Sequence, residues 1–150
     1  MASNEVNIKN KRARFEFFIE EEFTAGLKLA GTEIKSIRSG KASIMEAYCV
    51  WQEDELWIRN MYIALYANAS FYEHKTRGDR KLLLNRKELN RIEKFLKVKG
   101  NTIIPLKLFL SEKGWLKVQI ACAKGKKLHD KRDDLKEKDD RREMDRAIKR

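Results

Sequence analysis

The sequence predicts a mainly β protein, an antiparallel small barrel with two or three accessory helices and a charged C-terminal tail. Three observations predict this class. Short runs rich in aromatic and β-branched residues alternate apolar and polar positions, brief polar turns join several of them in pairs, and residues 124–150 offer almost nothing that a core could use.

The first run, "FEFFIEEEFTAGLKL" from Phe15 to Leu29, reads as one strand. Its apolar positions alternate at 15, 17 and 19 and again at 27 and 29, and Gly26 suggests a bulge or bend. "GTEIKSIRSG" reads as a short helix: Thr32 caps its start, Ile34 and Ile37 share a face, and Gly40 supplies the left-handed residue that ends it. "AYCVWQEDELWIRNMYIALY" contains two strand-like runs around the polar turn "QEDE", hence a hairpin. Asn85 followed three residues later by Glu88 has capping-box spacing, and Leu89, Ile92, Phe95 and Leu96 form an apolar stripe before Gly100. "TIIPLKLFLS" and "WLKVQIACA", joined by "EKG", make another hairpin. Strand, helix, hairpin, helix, hairpin is the content of an OB-fold, a small barrel that binds polyanions. A chain of 150 residues suits one such domain, with a flexible N-terminus over 1–9, a body over 10–123 and a basic tail over 124–150.

Charge points to the partner. The formal net charge is +11 and the isoelectric point about 9.7, the signature of a protein that meets a polyanion. Residues 121–150 carry 12 Lys+Arg and 8 Asp+Glu, so the tail is +4 and the remainder +7; the body is basic in its own right. No apolar run approaches the ~18 residues of a membrane span, and "MASNEVNIKNKRAR" lacks the apolar stretch of a secretory signal. The expected setting is cytoplasmic, with nucleic acid and not a membrane as the polyanion.

Catalytic constellations are sparse. "EEEF" sets Glu20 and Glu22 on one strand face, a carboxylate pair conceivable for nuclease chemistry, but a solvated strand face is the plainer reading. Cys49 and Cys122 lie in apolar strands, where free cysteine behaves as a small hydrophobe, and form no CxxC pair. His74 stands in a polar loop without an identifiable partner. No Gly-rich phosphate loop, metal set or cofactor motif is present.

The basic clusters carry more. "KNKRAR" supplies Lys9, Lys11, Arg12 and Arg14; "HKTRGDRK" supplies Lys75, Arg77, Arg80 and Lys81; "AKGKK" supplies Lys124, Lys126 and Lys127. Each can neutralise phosphates. Phe15, Phe17, Phe18, Tyr62, Tyr66 and Tyr72 are candidates for a base-stacking platform, although strand alternation places most of them in the core. In the tail, Asp134 with Lys138, Glu137 with Arg141 and Asp145 with Lys149 are helical i,i+4 pairs worth only ~0.2–0.5 kcal/mol each. Ordering the segment costs more than that, so the tail folds where a partner supplies contacts.

"NKRARFEFFIEEEFTAGLKLAGTEIKSIRSGKASI", "RKLLLN" and "AKGKKLHDKRDD", in this order and spacing, closely resemble the SsrA-binding protein (SmpB) family, from about Asn10 to Arg150. The resemblance implies an OB-type barrel that binds the tRNA-like domain of transfer-messenger RNA and takes it to stalled ribosomes. It implies a monomeric adaptor without catalysis or cofactor. Elongation factor Tu and alanyl-tRNA synthetase would be met through the shared RNA. It assigns Asn10, Lys11, Arg12 and Arg14 to a basic loop facing the RNA, and Arg80, Lys81, Leu83 and Asn85 to the segment touching the RNA elbow. Thr24 belongs to this surface; it stands where many members carry Glu, and Phe15 and Phe17 stand where many carry His and Tyr. Asn85 can serve as a helix cap and Leu83 as core as well. For the tail the resemblance implies a stand-in for the absent message, helical in the empty messenger channel of the small subunit. Lys124, Gly125, Lys126, Lys127, His129, Asp130, Lys131 and Arg132 then meet ribosomal RNA, His129 stacking on a base in the decoding centre. Met144, Ala147 and Ile148 would anchor the distal helix.

Overall fold

In the computed structural model the described residues are 6–65 and 74–126, with nine strands and three helices among them. In chain order they are β1 (Asn7–Lys9), α1 (Ala13–Glu16), β2 (Phe17–Leu27), α2 (Gly31–Arg38), β3 (Ala42–Ser43), β4 (Tyr48–Gln52), β5 (Glu55–Arg59), β6 (Tyr62–Ile63), β7 (Arg80–Leu83), α3 (Arg86–Leu96), β8 (Asn101–Leu110) and β9 (Leu116–Gly125). The main sheet runs β1-β8-β4-β5-β7-β2-β9, and β9 also pairs β8, so the sheet closes on itself as a barrel whose strand pairs are all antiparallel. Closure removes the unpaired edges that would otherwise invite association. β3 and β6 form a separate two-stranded ribbon.

The expected hairpins form for local reasons. Between β4 and β5 the turn is two residues, Glu53 and Asp54, with φ of 53° and 57°, the left-handed pair that matches the twist of the flanking strands. Between β8 and β9, Gly114 takes φ 82° inside the turn, which Gly114 N–H and Ser111 N–H brace by donating to Ser111 O (2.9 Å) and Trp115 O (2.8 Å). Alternation then sends Ile103, Leu108, Val118, Ile120 and Cys122 into the barrel with Phe23, Ala25, Ile58 and Leu82. α3 buries Leu89 and Ile92 in the same core, and α2 adds Ile37.

A second, smaller cluster lies elsewhere on β2, β8 and β9. Ala13 of α1 packs with Ile104, Leu106, Ala121 and Ala123, flanked by Phe17 and Ile19. A register shift between Ile19 and Glu21, and another between Pro105 and Lys107, let β2 and β8 serve both clusters.

Several expectations need correction. Phe15 and Glu16 close α1 instead of opening the long strand. The irregularity of β2 lies at Ile19/Glu21 and not at Gly26, where the pairing with Leu83 and Lys117 is regular. Thr32 does not cap α2: the helix begins at Gly31, its Ala30 N–H donates to Glu33 Oε1 (2.9 Å), and the Thr32 hydroxyl bonds His74 Nδ1 (3.0 Å). Residues 7–9 are strand, because β1 pairs Lys107–Phe109, so the body begins before Asn10; at its other end β9 continues to Gly125.

Candidate nucleic-acid interface

The turn before α1 is fixed to the barrel by Asn10, whose N–H donates to Leu106 O (2.8 Å) and whose Nδ2 donates to Pro105 O (3.1 Å). Ala13 lets the single-turn helix lie against the sheet, since no larger side chain stands between its backbone and Ile104 or Ala121. Lys11, Arg12 and Arg14 consequently point outward. Arg12 pairs with Glu16 (3.5 Å) and Arg14 with Glu22 (3.1 Å), with Arg side chains 63% and 73% exposed. Exposed pairs of this kind are worth ~0–1 kcal/mol, so phosphate can displace the carboxylates at little cost.

The end of β9 comes to the same place. Lys126 N–H donates to Glu16 O (2.8 Å), Lys124 stands opposite Phe18, and Gly125 opposite Phe17. Phe18 is about half exposed, with Lys126 Nζ 5.0 Å from its ring centroid. Lys11, Arg12, Arg14, Lys124 and Lys126 therefore surround one end of β2, where the chain enters its tail.

Arg14 also begins a strip along the outer face of β2. Phe23 and Ala25 point inward, so Glu22, Thr24 and Lys28 are exposed on the other face, with Gly26 between them covered by Leu83 and Lys117. Register places Gln119 opposite Thr24, and Leu83 and Lys117 opposite Gly26. Leu83 packs closely over Gly26: a Cβ there would lie 3.3 Å from Leu83 Cβ, so Leu83 would have to shift by a few tenths of an ångström to admit one. Leu83 is half exposed, an apolar side chain on a charged strip. From Glu22 to Lys28 the strip measures about 20 Å at the strand rise of ~3.3 Å per residue.

Other predicted residues are placed differently. Arg80 is 4% exposed, and every guanidinium N–H is occupied: Nε pairs with Glu33, Nη1 donates to Met61 O (2.7 Å) and Gly78 O (3.1 Å), and Nη2 to Lys75 O (2.8 Å) and Thr76 O (3.4 Å). It ties the 75–78 loop and α2 to the barrel and keeps no N–H open to solvent. Lys81 is half-buried, 3.8 Å from Glu55. Asn85 caps α3, its Oδ1 accepting from Glu88 N–H (2.9 Å) while Glu88 Oε1 accepts from Asn85 N–H (3.2 Å). His74 acquires partners that sequence did not disclose, Thr32 Oγ1 and Ile63 O, each at 3.0 Å. Tyr66, Tyr72, Lys127, His129, Asp130, Lys131, Arg132 and Ile148 lie outside the described residues.

Two residues of the acidic run are engaged with bases, and Glu20 is exposed. Glu21 lies 2.6 Å from Arg91, whose guanidinium also sits 5.9 Å from the Phe23 ring centroid, and Glu22 holds Arg14. Both cysteines are buried and free. Burial pushes the Cys49 thiol far up, and burial, reinforced by Glu21 and Glu20, pushes Cys122 up to about 11; neither is a thiolate near neutrality. Lys117 and Gln119 are the strip residues that sequence reasoning missed. Alternation in "WLKVQIACA" put them outward, but only the register with β2 and β7 places Lys117 beside Leu83 and Gln119 beside Thr24.

A closed small barrel with a basic rim and an exposed aromatic beside it defines the class as an OB-type barrel of the polyanion-binding kind. The particular family follows from comparison. The family model described as "SmpB protein" matches residues 7–150, and the chain belongs to that family. The "SsrA-binding protein" of Parabacteroides distasonis is 55% identical over 148 residues, covering 99% of this chain and 97% of its own; that of Phocaeicola vulgatus is 55% identical over all of both chains. The Synechococcus relative of the same name is 44% identical, covering 95% and 92%. A solved structure described as "tmRNA-SmpB: a journey to the center of the bacterial ribosome" contains a chain 39% identical, with a TM-score of 0.69, covering 82% of this chain and 86% of that one.

Proposed function

We propose that this protein is an RNA-binding adaptor of trans-translation: it binds the tRNA-like domain of transfer-messenger RNA and delivers it to stalled ribosomes. The observation that carries the reading is the family match across 7–150 on a chain whose cationic turn and β2 strip stand open at the surface. The relatives' printed name and the neighbour's title supply the partners: SsrA RNA in the first, tmRNA and the ribosome in the second. Lys11, Arg12 and Arg14 neutralise phosphates, Asn10 holds their turn, and Thr24, Lys81, Leu83 and Asn85 meet the folded RNA. Arg80 acts from behind by fixing the loop that precedes β7. The tail from Lys124 onward, with Gly125, Lys126, Lys127, His129, Asp130, Lys131, Arg132 and Ile148, occupies the empty messenger channel and decoding centre.

The alternative is a general OB-fold RNA binder of the translation apparatus. A basic chain binds any RNA through counterion release, so discrimination must be read at fixed salt. The test is the affinity for the tRNA-like domain against that for an ordinary tRNA under matched ionic strength. Clear preference for the tRNA-like domain is expected; equal affinity overturns the adaptor reading in favour of the general binder.

A further inference from the structure

At the Lys28 end of the β2 strip an apolar cleft of about 490 Å³ opens between α2, the end of β2 and the 111–115 turn. Leu29, Ile34 and Trp115 wall it, and the exposed side chains of Lys28, Arg38 and Lys113 rim it. Trp115 is 68% exposed. Burial therefore does not explain its position, and the turn holds its backbone at both polar atoms: Ser111 N–H donates to Trp115 O (2.8 Å) and Trp115 N–H to Ser111 Oγ (3.1 Å). An indole on a braced turn loses little freedom when a ring stacks upon it. Among the described residues the three rim cations have no acidic partner, unlike Arg12, Arg14, Arg77 and Lys81 elsewhere.

We infer that this cleft receives an unstacked nucleotide of single-stranded RNA, its base stacked on Trp115 and its phosphates met by Lys28, Arg38 and Lys113. A flat indole, an apolar floor and unpaired cations within one cleft are the components of a sequence-tolerant single-strand site. The cleft also continues the strip from Arg14 through Leu83 and Lys117, so one RNA can engage both. An acidic peptide would use the cations but has no use for the indole face. The inference rests on the RNA-binding reading above and extends it to a cleft that shares only Lys28 with the β2 strip.

The test uses the full chain, an end-labelled uridine octamer and fluorescence anisotropy at one salt concentration. Trp115→Ala should weaken octamer binding about 5- to 150-fold, the effect of losing one stacked base, while Trp115→Phe keeps most of the affinity and Lys113→Ala loses less. A 4-thiouridine octamer on the unaltered protein should photo-crosslink to the peptide containing Trp115, which keeps the site testable whatever the stability of the variants. Unchanged affinity in Trp115→Ala, a crosslink elsewhere, or Trp115-dependent binding of an octaglutamate peptide tighter than that of the octamer each overturns it. If the tRNA-like domain binds well but the octamer is indifferent to Trp115, this inference alone fails. If neither RNA binds, the function proposed above fails with it.

Discussion

Two basic stretches of similar composition, "KNKRAR" and "HKTRGDRK", have opposite fates. In the first, the folded chain offers only exposed carboxylates at 3.5 and 3.1 Å, and Arg12 and Arg14 stay open to a polyanion. In the second, Arg80 turns inward onto Glu33 and four carbonyls, while Arg77 and the Asp79 between them bond Glu46 and Arg59. Arginine count in a sequence measures potential for charge at the surface. Whether the charge is available depends on how many acceptors the fold places within reach.

The contrast can be broken most forcefully at Arg80. Arg80→Ala takes the ion-pair partner from the buried Glu33 carboxylate and one donor from each of four carbonyls, and should cost ~3–5 kcal/mol, read as a lower urea midpoint. A loss below 1 kcal/mol would show that the loop does not depend on it. Combined Lys11→Ala, Arg12→Ala and Arg14→Ala should do the reverse. Stability should move by no more than ~0.5 kcal/mol per site, whereas affinity for the tRNA-like domain falls at least tenfold and the log-log salt slope shrinks by about 2–3. A variant that unfolds would erase the distinction between the two stretches.

Asn85 separates a cap from a contact. Asn85→Ala should destabilise by ~1 kcal/mol through the lost N-cap, and Asn85→Asp should restore stability because the carboxylate still accepts from Glu88 N–H. If Asn85 also meets RNA, the Asp variant regains stability but not affinity; recovery of both would make it a cap alone. Smallest at neutral pH is the effect of Cys122. Its thiol is raised to about 11 in the fold, so the native state holds its proton after the unfolded thiol, near 8.5, has ionised. Its contribution to stability is therefore complete below pH ~8.5 and is lost as pH rises toward 11. Cys122→Ala should flatten that alkaline decline in a stability-against-pH series, while below pH ~8 the curve keeps its shape and shifts down only by the cost of the lost buried sulfur.

Features enforced over a few residues were legible in advance. The Asn85–Glu88 box, the Gly40 helix end and the polar turns between paired strands appear as read, since neighbours along the chain contain both halves of each interaction. Thr32 and His74 were misread because each is the other's partner across 42 residues. Ala13 gave no signal at all: an alanine in a basic run acquires meaning only when Ile104 and Ala121 arrive beneath it. Arg80 carried the residue type that suits phosphate, but its burial against Glu33 and four carbonyls is set by partners distant in the chain.

By itself, then, the sequence determined the mainly β content, the hairpins, the α3 cap, the surplus of positive charge and the family. All of these are local in the chain or summed over it. Tertiary structure alone decided which cations remain available, that Gly26 faces Leu83, and that Trp115 stands on a cleft rimmed by Lys28, Arg38 and Lys113. The physical reason is that a side chain's exposure and partners are set by strand register and barrel closure, which join residues that the sequence keeps far apart.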